Sequence, residues 1–313
     1  MGLKNLTVVA EFILVGVSGR SELQLPLFGV FLLIYMVTVM GNLGLILLTK
    51  TDSKLRTPMY FFLRHLAITD LGYSTAVGPK MLVNFVMDDN TISYYSCVTQ
   101  MAFYIVFISS ELFILSAMSY DRYVAICHPL LYTVIMSQST CWVLVTVPYL
   151  YSTFVCLLVT IKIFKSSFCG YNVIRHFYCD NLILLSLLCS DIHDIELIKL
   201  AFAAFDLVSS LLTLVSYMLI LVAVLRMRSA EGRHKAFSTC ASHLTVVVVF
   251  YGTLIFMYLQ PKSSYSFDTD KVGSIFYTLV IPMLNPLIYS LRNDDVKYAL
   301  RRTLRQLCNI VSQ

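Results

Sequence analysis

Seven mostly apolar runs of about twenty residues or more divide this chain, and few folds can accept them. They are read at about 25–49, 57–83, 97–120, 141–161, 198–225, 236–259 and 272–291. The first, fourth, sixth and seventh hold no lysine, arginine, aspartate or glutamate. The second carries Arg64, Asp70 and Lys80, the third only Glu111, and the fifth only Asp206 from Leu200 onward. A helix needs roughly 20 apolar residues to cross a bilayer. A soluble bundle would have to bury all seven in 313 residues. Charged residues make up 13% of the chain, about half the share usual for soluble domains. The expected fold is therefore an all-α integral membrane protein, one seven-helix domain over residues 1–313.

Lysine and arginine set the expected orientation. With the N-terminus outside, the inner segments hold Lys50, Lys54, Arg56, Arg122, Arg226, Arg228, Arg233, Lys235, Arg292 and Lys297. The loop 84–96 has none and carries Asp88 and Asp89. Basic residues mark the cytoplasmic side, so the N-terminus is expected outside and the C-terminus inside. The net charge of +5 is scattered; it suits an anionic leaflet and argues against nucleic acid. Residues 1–23 lack the continuous apolar core and cleavage site of a secretory signal. Asn5-Leu6-Thr7 is a glycosylation sequon in the expected outer tail.

Four of the nine cysteines, Cys97, Cys169, Cys179 and Cys189, fall on the oxidising side. They allow three pairings. A Cys97–Cys179 bridge would pin the long outer loop over the bundle, and Cys169–Cys189 would close a second ring within it. His176 and His193 lie among them, but the spacing fits no common zinc pattern, so disulfides are expected and no metal. Cys308, in the inner tail, is a candidate for palmitoylation or a plain thiol.

Polar residues inside the runs carry the functional signal. Asp121-Arg122-Tyr123 closes the third run, just before His128-Pro129 stops the helix. An arginine there must be paired or reach water. Tyr104, Ile108, Glu111, Leu115, Met118 and Arg122 recur at three and four, which puts them on one helix face. Glu111 and Asp70 lie at mid-depth, where carboxylates are costly and face the bundle; Asn42 and Asn285 are placed to join them. No nucleophile motif accompanies the histidines, so no enzyme activity is expected. After Leu291, Val296, Leu300, Leu304 and Leu307 alternate with Lys297, Arg301, Arg302 and Arg305. That pattern reads as an interfacial helix over about 293–307 lying on membrane lipid. The pair Arg64-His65 reads as a cytoplasmic-end pair that snorkels to lipid headgroups.

The ordered motifs resemble the olfactory branch of the rhodopsin-like G-protein-coupled receptors. They are Gly41-Asn42, Pro58-Met59-Tyr60-Phe61-Phe62-Leu63, Met118 to Cys127, Ser216-Tyr217, Lys235-Ala236-Phe237-Ser238-Thr239-Cys240, Ser242-His243-Leu244 and Pro282 to Asn293. The sixth-span string is peculiar to that branch. The resemblance runs from Gly41 to Asn293, most of the chain. Phe250-Tyr251-Gly252 departs from the wider group by standing where a proline and a tryptophan are usual, and Arg64-His65 departs from the olfactory branch.

The resemblance implies a plasma-membrane odorant receptor. Asp121, Arg122 and Tyr123 would form a latch, with Tyr217, Asn285, Pro286 and Tyr289 as switch residues. A sodium ion or a proton is expected at Asp70 and Glu111, and no other cofactor. Family geometry places Tyr104, Ile105, Ile108, Ser109, Phe202, Phe205, Tyr251, Leu254, Ile255, Tyr258 and Thr278 around the ligand. That set carries no charge, so the expected ligand is a small, neutral, mostly apolar volatile. Asp206 is expected to hydrogen-bond within the bundle. The implied partner is a stimulatory olfactory-type heterotrimeric G protein that raises cAMP. The rival readings are a receptor for an endogenous lipid or metabolite and, further off, a transporter. A transporter would show inverted repeats, and no internal repeat is present.

Overall fold

The computed structural model describes residues 10–17, 21–87, 90–168, 172–189, 193–258 and 267–311. Seven long helices form the bundle: α1 (Ser21–Thr51), α2 (Pro58–Val86), α3 (Tyr94–Cys127), α4 (Gln138–Lys165), α5 (His193–Arg226), α6 (Ala230–Tyr258) and α7. α7 consists of Phe267–Ile275 and Ile281–Arg292, joined through one π-helical turn at Phe276–Val280. α8 (Asp294–Val311) follows after a single residue, Asn293. All seven expected runs lie on these helices, and most helices extend several residues past them. The extensions are polar or charged turns that hydropathy alone ends early.

Five of the helices are long and apolar enough to cross a membrane by themselves: Glu22–Thr51, Tyr94–Cys127, Gln138–Ile163, His193–Arg226 and Lys271–Ser290. α2 falls short because of its three charges. α6 falls short because its described apolar part is only Cys240–Thr253. The α2 charges are handled individually. Asp70 is fully buried among polar partners. Arg64 donates to the Thr49 carbonyl at 2.5 Å and to its hydroxyl at 3.3 Å, near the end of α1 where helix carbonyls lack partners. This corrects the headgroup reading of Arg64. His65 packs its ring against Phe61 at 4.8 Å and Trp142 at 6.0 Å.

Lipid gives no hydrophobic drive between helices, so close packing holds them. Small residues allow it. A Cβ on Gly41 would lie 2.9 Å from Pro286, and one on Gly72 would lie 2.3 Å from the Phe107 ring. α1 therefore touches the proline turn of α7, and α2 touches α3, at van der Waals range. The central core joins Leu63, Leu66, Leu115, Met118, Phe250 and Tyr289.

One end of the bundle has a lid. β1 (Glu11–Leu14) lies between β2 (Thr91–Ser93), which it pairs antiparallel, and β3 (Val173–Ile174), which it pairs parallel. Alternation along β1 buries Phe12 and Leu14 and turns Glu11 and Ile13 outward. Cys97 and Cys179 form a disulfide under this sheet. Gln100 braces it by donating to the Ala76 carbonyl and accepting from the Cys179 amide, both at 2.9 Å. Cys189 is also disulfide-bonded; its expected partner Cys169 lies outside the described residues, as do Asn5 and the side chain of Cys308.

Candidate functional site

α3 carries functional groups along its whole length, and three layers form around it. The first lies near the disulfide. Tyr104 places its ring 5.2 Å from Tyr178 and 6.3 Å from Tyr73. Ile105, Ile108, Phe202 and Tyr251 are half-buried and Ser109 is buried. Thr278 is fully buried, its hydroxyl donating to the Ser274 carbonyl at 2.7 Å. Phe205 does not join them. It is 54% exposed and stacks on Tyr151 at 5.0 Å on the outward side. The side chains of Leu254, Ile255 and Tyr258 lie outside the described set. An open groove of about 1000 Å³ between α2 and α3, lined by Gly72, Lys80, Phe103 and Phe107 among others, faces outward and includes none of the expected ligand residues.

Above this layer His176 is buried, with Nε2 3.2 Å from the Ser274 hydroxyl. Burial, followed by the nearby Lys271 charge, lowers its pKa to about 3, so the ring is neutral at neutral pH. That bond fastens the loop to α7. No group of side chains able to hold a metal is present among the described residues.

The second layer is polar and deep. Asn285 donates to both Asp70 oxygens, at 3.1 and 3.0 Å, and the Tyr73 hydroxyl donates to Oδ1 at 3.1 Å. Glu111 is fully buried, and both its oxygens lack a hydrogen-bond partner. Asn42 does not join the carboxylates. It donates to the Thr38 and Pro282 carbonyls, at 3.0 and 2.9 Å, and so ties α1 to the freed carbonyl four residues before Pro286.

The third layer is the latch. Arg122 donates from Nε at 3.0 Å and Nη2 at 2.5 Å to one oxygen of Asp121, which is fully buried. The other oxygen accepts from Tyr132 at 2.8 Å. Tyr132 opens the short helix Tyr132–Ile135 in the loop after α3. Charge-assisted bonds of this kind are short and strong, and the pairing satisfies a carboxylate that burial would otherwise penalise. Tyr123 turns away, its hydroxyl 3.2 Å from His128 Nε2. Tyr217 meets His243 Nδ1 at 2.6 Å across α5 and α6. The Tyr289 hydroxyl is buried without a partner.

Sequence reasoning did not find Tyr132 or the Tyr217–His243 pair. Both arise from long-range packing. The only advance sign was His243, a polar residue within an otherwise apolar run. Asp206 also needs correction. Its side chain makes no hydrogen bond within the bundle among the described residues, and Oδ1 is buried and unpartnered. The residue lies on the inward stripe of α5 with Ile195, Phe202, Ser209, Thr213 and Ser216, at a height where helix α5 offers it no free donor.

α8 docks through its own contacts. Arg302 pairs with buried Asp52 at 2.8 Å, and the Tyr60 hydroxyl donates to Asp295 at 2.9 Å. Val296 and Ala299 are buried, whereas Leu300 faces outward.

Comparison with known proteins agrees with this arrangement. Residues 31–307 match the family model described as olfactory receptor. Human olfactory receptor 8K3 is 76% identical over 98% of both chains. Human olfactory receptor 8K5 is 67% identical over 96% of this chain and 98% of its own. Mouse olfactory receptor 8U3 is 58% identical over 96% and 94%. Squid rhodopsin has the same fold, with a TM-score of 0.68 at 16% identity over 92% of this chain and 87% of its own. Identity of this extent, across all three layers of the bundle, makes the chain a member of the olfactory receptor family: multi-pass membrane receptors that bind odorants and signal through a G protein, without enzymatic activity.

Proposed function

We propose that a small, mostly apolar, neutral volatile binds the outer third of the bundle, which in this reading is the disulfide end. The N-terminus is extracellular and the C-terminus cytoplasmic, in keeping with the lysine and arginine distribution. The membrane spans follow about 25–49, 57–83, 97–120, 141–161, 198–225, 236–259 and 272–291. α8 lies on the inner leaflet, and Asn5 carries glycan. Cys169 closes the second ring with Cys189.

The observation that carries the mechanism is the closed network of Arg122, Asp121 and Tyr132 at the inner end of one continuous helix that carries Tyr104 near its other end. Odorant favours the conformer in which the inner end of α6 has moved and Arg122 is free. It shifts the population only by its differential affinity for the two conformers. The G protein is of the stimulatory olfactory type, and the output is cAMP. Tyr217, Pro286 and Tyr289 rearrange between the two conformers.

Asp70 and Glu111 suit a sodium ion or a proton. Asp70 already accepts three bonds, and the two buried Glu111 oxygens lack any donor. Either species would neutralise a buried negative charge next to Asn285 and so bias the turn of α7.

A cAMP assay against a chemically diverse odorant panel tests this reading. The expected result is an odorant-dependent rise that Arg122→Ala abolishes at unchanged surface expression. Normal signalling by that variant would refute the latch. Activation confined to non-volatile lipids or metabolites would favour the rival receptor reading.

A further inference from the structure

Two polar groups between α3, α5 and α6 remain unused by the mechanism above. Asp206 Oδ1 and the Tyr251 hydroxyl are shut off from solvent, and neither makes a hydrogen bond among the described residues. Tyr251 lies in the electrostatic reach of Asp206, with Ser210 and Thr213 beside it. No described salt bridge involves Asp206. Phe202, one turn nearer the lid on the same face, packs on Tyr151 at 5.5 Å. The setting is thus an apolar lining with one buried acceptor and one buried donor.

Buried polar groups in folded proteins almost always have partners, and the exceptions call for an explanation. In a membrane interior the cost of leaving them bare is high. A single hydroxyl group satisfies both: its O–H donates to Asp206, and its oxygen accepts from the Tyr251 O–H. An ammonium group has no lone pair for the phenol proton. A hydrocarbon answers neither.

We propose that Asp206 and Tyr251 are the polar anchor of the ligand site and select odorants that carry an aliphatic hydroxyl group. The inference rests on the odorant-binding reading of the bundle and narrows its ligand class. A volatile alcohol is still neutral and mostly apolar.

The test uses the full-length receptor at the cell surface with cAMP as readout. Each odorant set shares one carbon skeleton, as alcohol, amine, ketone and hydrocarbon. The alcohol is expected to be the strongest agonist. Asp206→Leu and Tyr251→Phe should each raise its half-maximal concentration about ten-fold or more, the scale of one lost hydrogen bond with its partner left bare. Asp206→Asn keeps an acceptor and should recover part of the response. Tyr251→Phe removes one atom, so it decides the matter if Asp206→Leu fails to reach the surface. An amine preferred over its alcohol overturns the proposal, and so does an unchanged alcohol response in both variants. Equal responses to alcohol and hydrocarbon discard the anchor while keeping the odorant site. Silence of a surface-expressed receptor to every set contradicts both.

Discussion

α2 and α5 differ more in how they are held than in what they are made of. Both are long and largely apolar. α2 buries fifteen of its 29 residues, including Phe62, Leu63, Leu66, Tyr73 and Met81. α5 buries five of 34, and three of those are Ser209, Thr213 and Ser216. α2 is wedged between α1 and α3, with Gly72 against Phe107 and Arg64 bonded to the end of α1. α5 touches its neighbours through small hydroxyls, such as Ser209 donating to the Leu112 carbonyl at 3.2 Å. Regions with few buried contacts open at low free-energy cost. The bundle therefore has a stiff frame, α1 to α4 under the disulfide lid, and a looser pair, α5 and α6, beside the latch. Motion of α6 against this frame follows from where the packing is thin.

Substitutions on the two sides test that contrast. Cys97→Ser should have the largest effect. Removing a native disulfide typically costs about 2–5 kcal/mol, so thermal stability and surface delivery should collapse. A receptor that keeps its melting temperature would show that the lid does not hold the frame. Leu115→Ala comes next. Leu115 is fully buried in the central core, and the residual cavity should cost about 2 kcal/mol or more, read as a lower melting temperature in detergent.

The His176–Ser274 contact should give a smaller, pH-dependent effect. The folded pKa near 3 lies below the ordinary value of 6.5. The stabilisation is then fully present above the ordinary value and fades as pH falls below it, because the unfolded chain binds the proton first. Melting temperature should drop between pH 7.5 and 5.5, and His176→Gln should flatten that slope. An unchanged slope would remove His176 from the lid. Ser209→Ala should have the smallest effect, about 0.5–1.5 kcal/mol. If it matched Leu115→Ala, the two sides would be equally tight and the contrast would fail.

The sequence made the frame legible because apolar runs and depth are one-dimensional quantities. Seven runs, the inner position of Arg122, and the mid-depth of Asp70 and Glu111 were all readable. β1 was not: Glu11-Phe12-Ile13-Leu14 is too short to signal a strand, and it exists only because two distant loops flank it. Tyr132 was hidden for a similar reason, since its link to Asp121 depends on how the loop turns after Pro129. Asp206 was partly readable. The inward stripe of α5 at three and four included it, but spacing cannot tell whether a partner awaits. Phe205 was misplaced because it adjoins that stripe without belonging to it.

The most direct test of α6 moving against a fixed frame is a pair of distances measured in the membrane with and without an activating odorant. One label pair spans exposed positions Arg233 on α6 and Gln138 on α4; the other spans Ser53 and Gln138 within the frame. The account predicts that the first distance lengthens with odorant while the second stays constant. A first distance that stays constant in a receptor that raises cAMP, or a frame distance that changes as much, would contradict it.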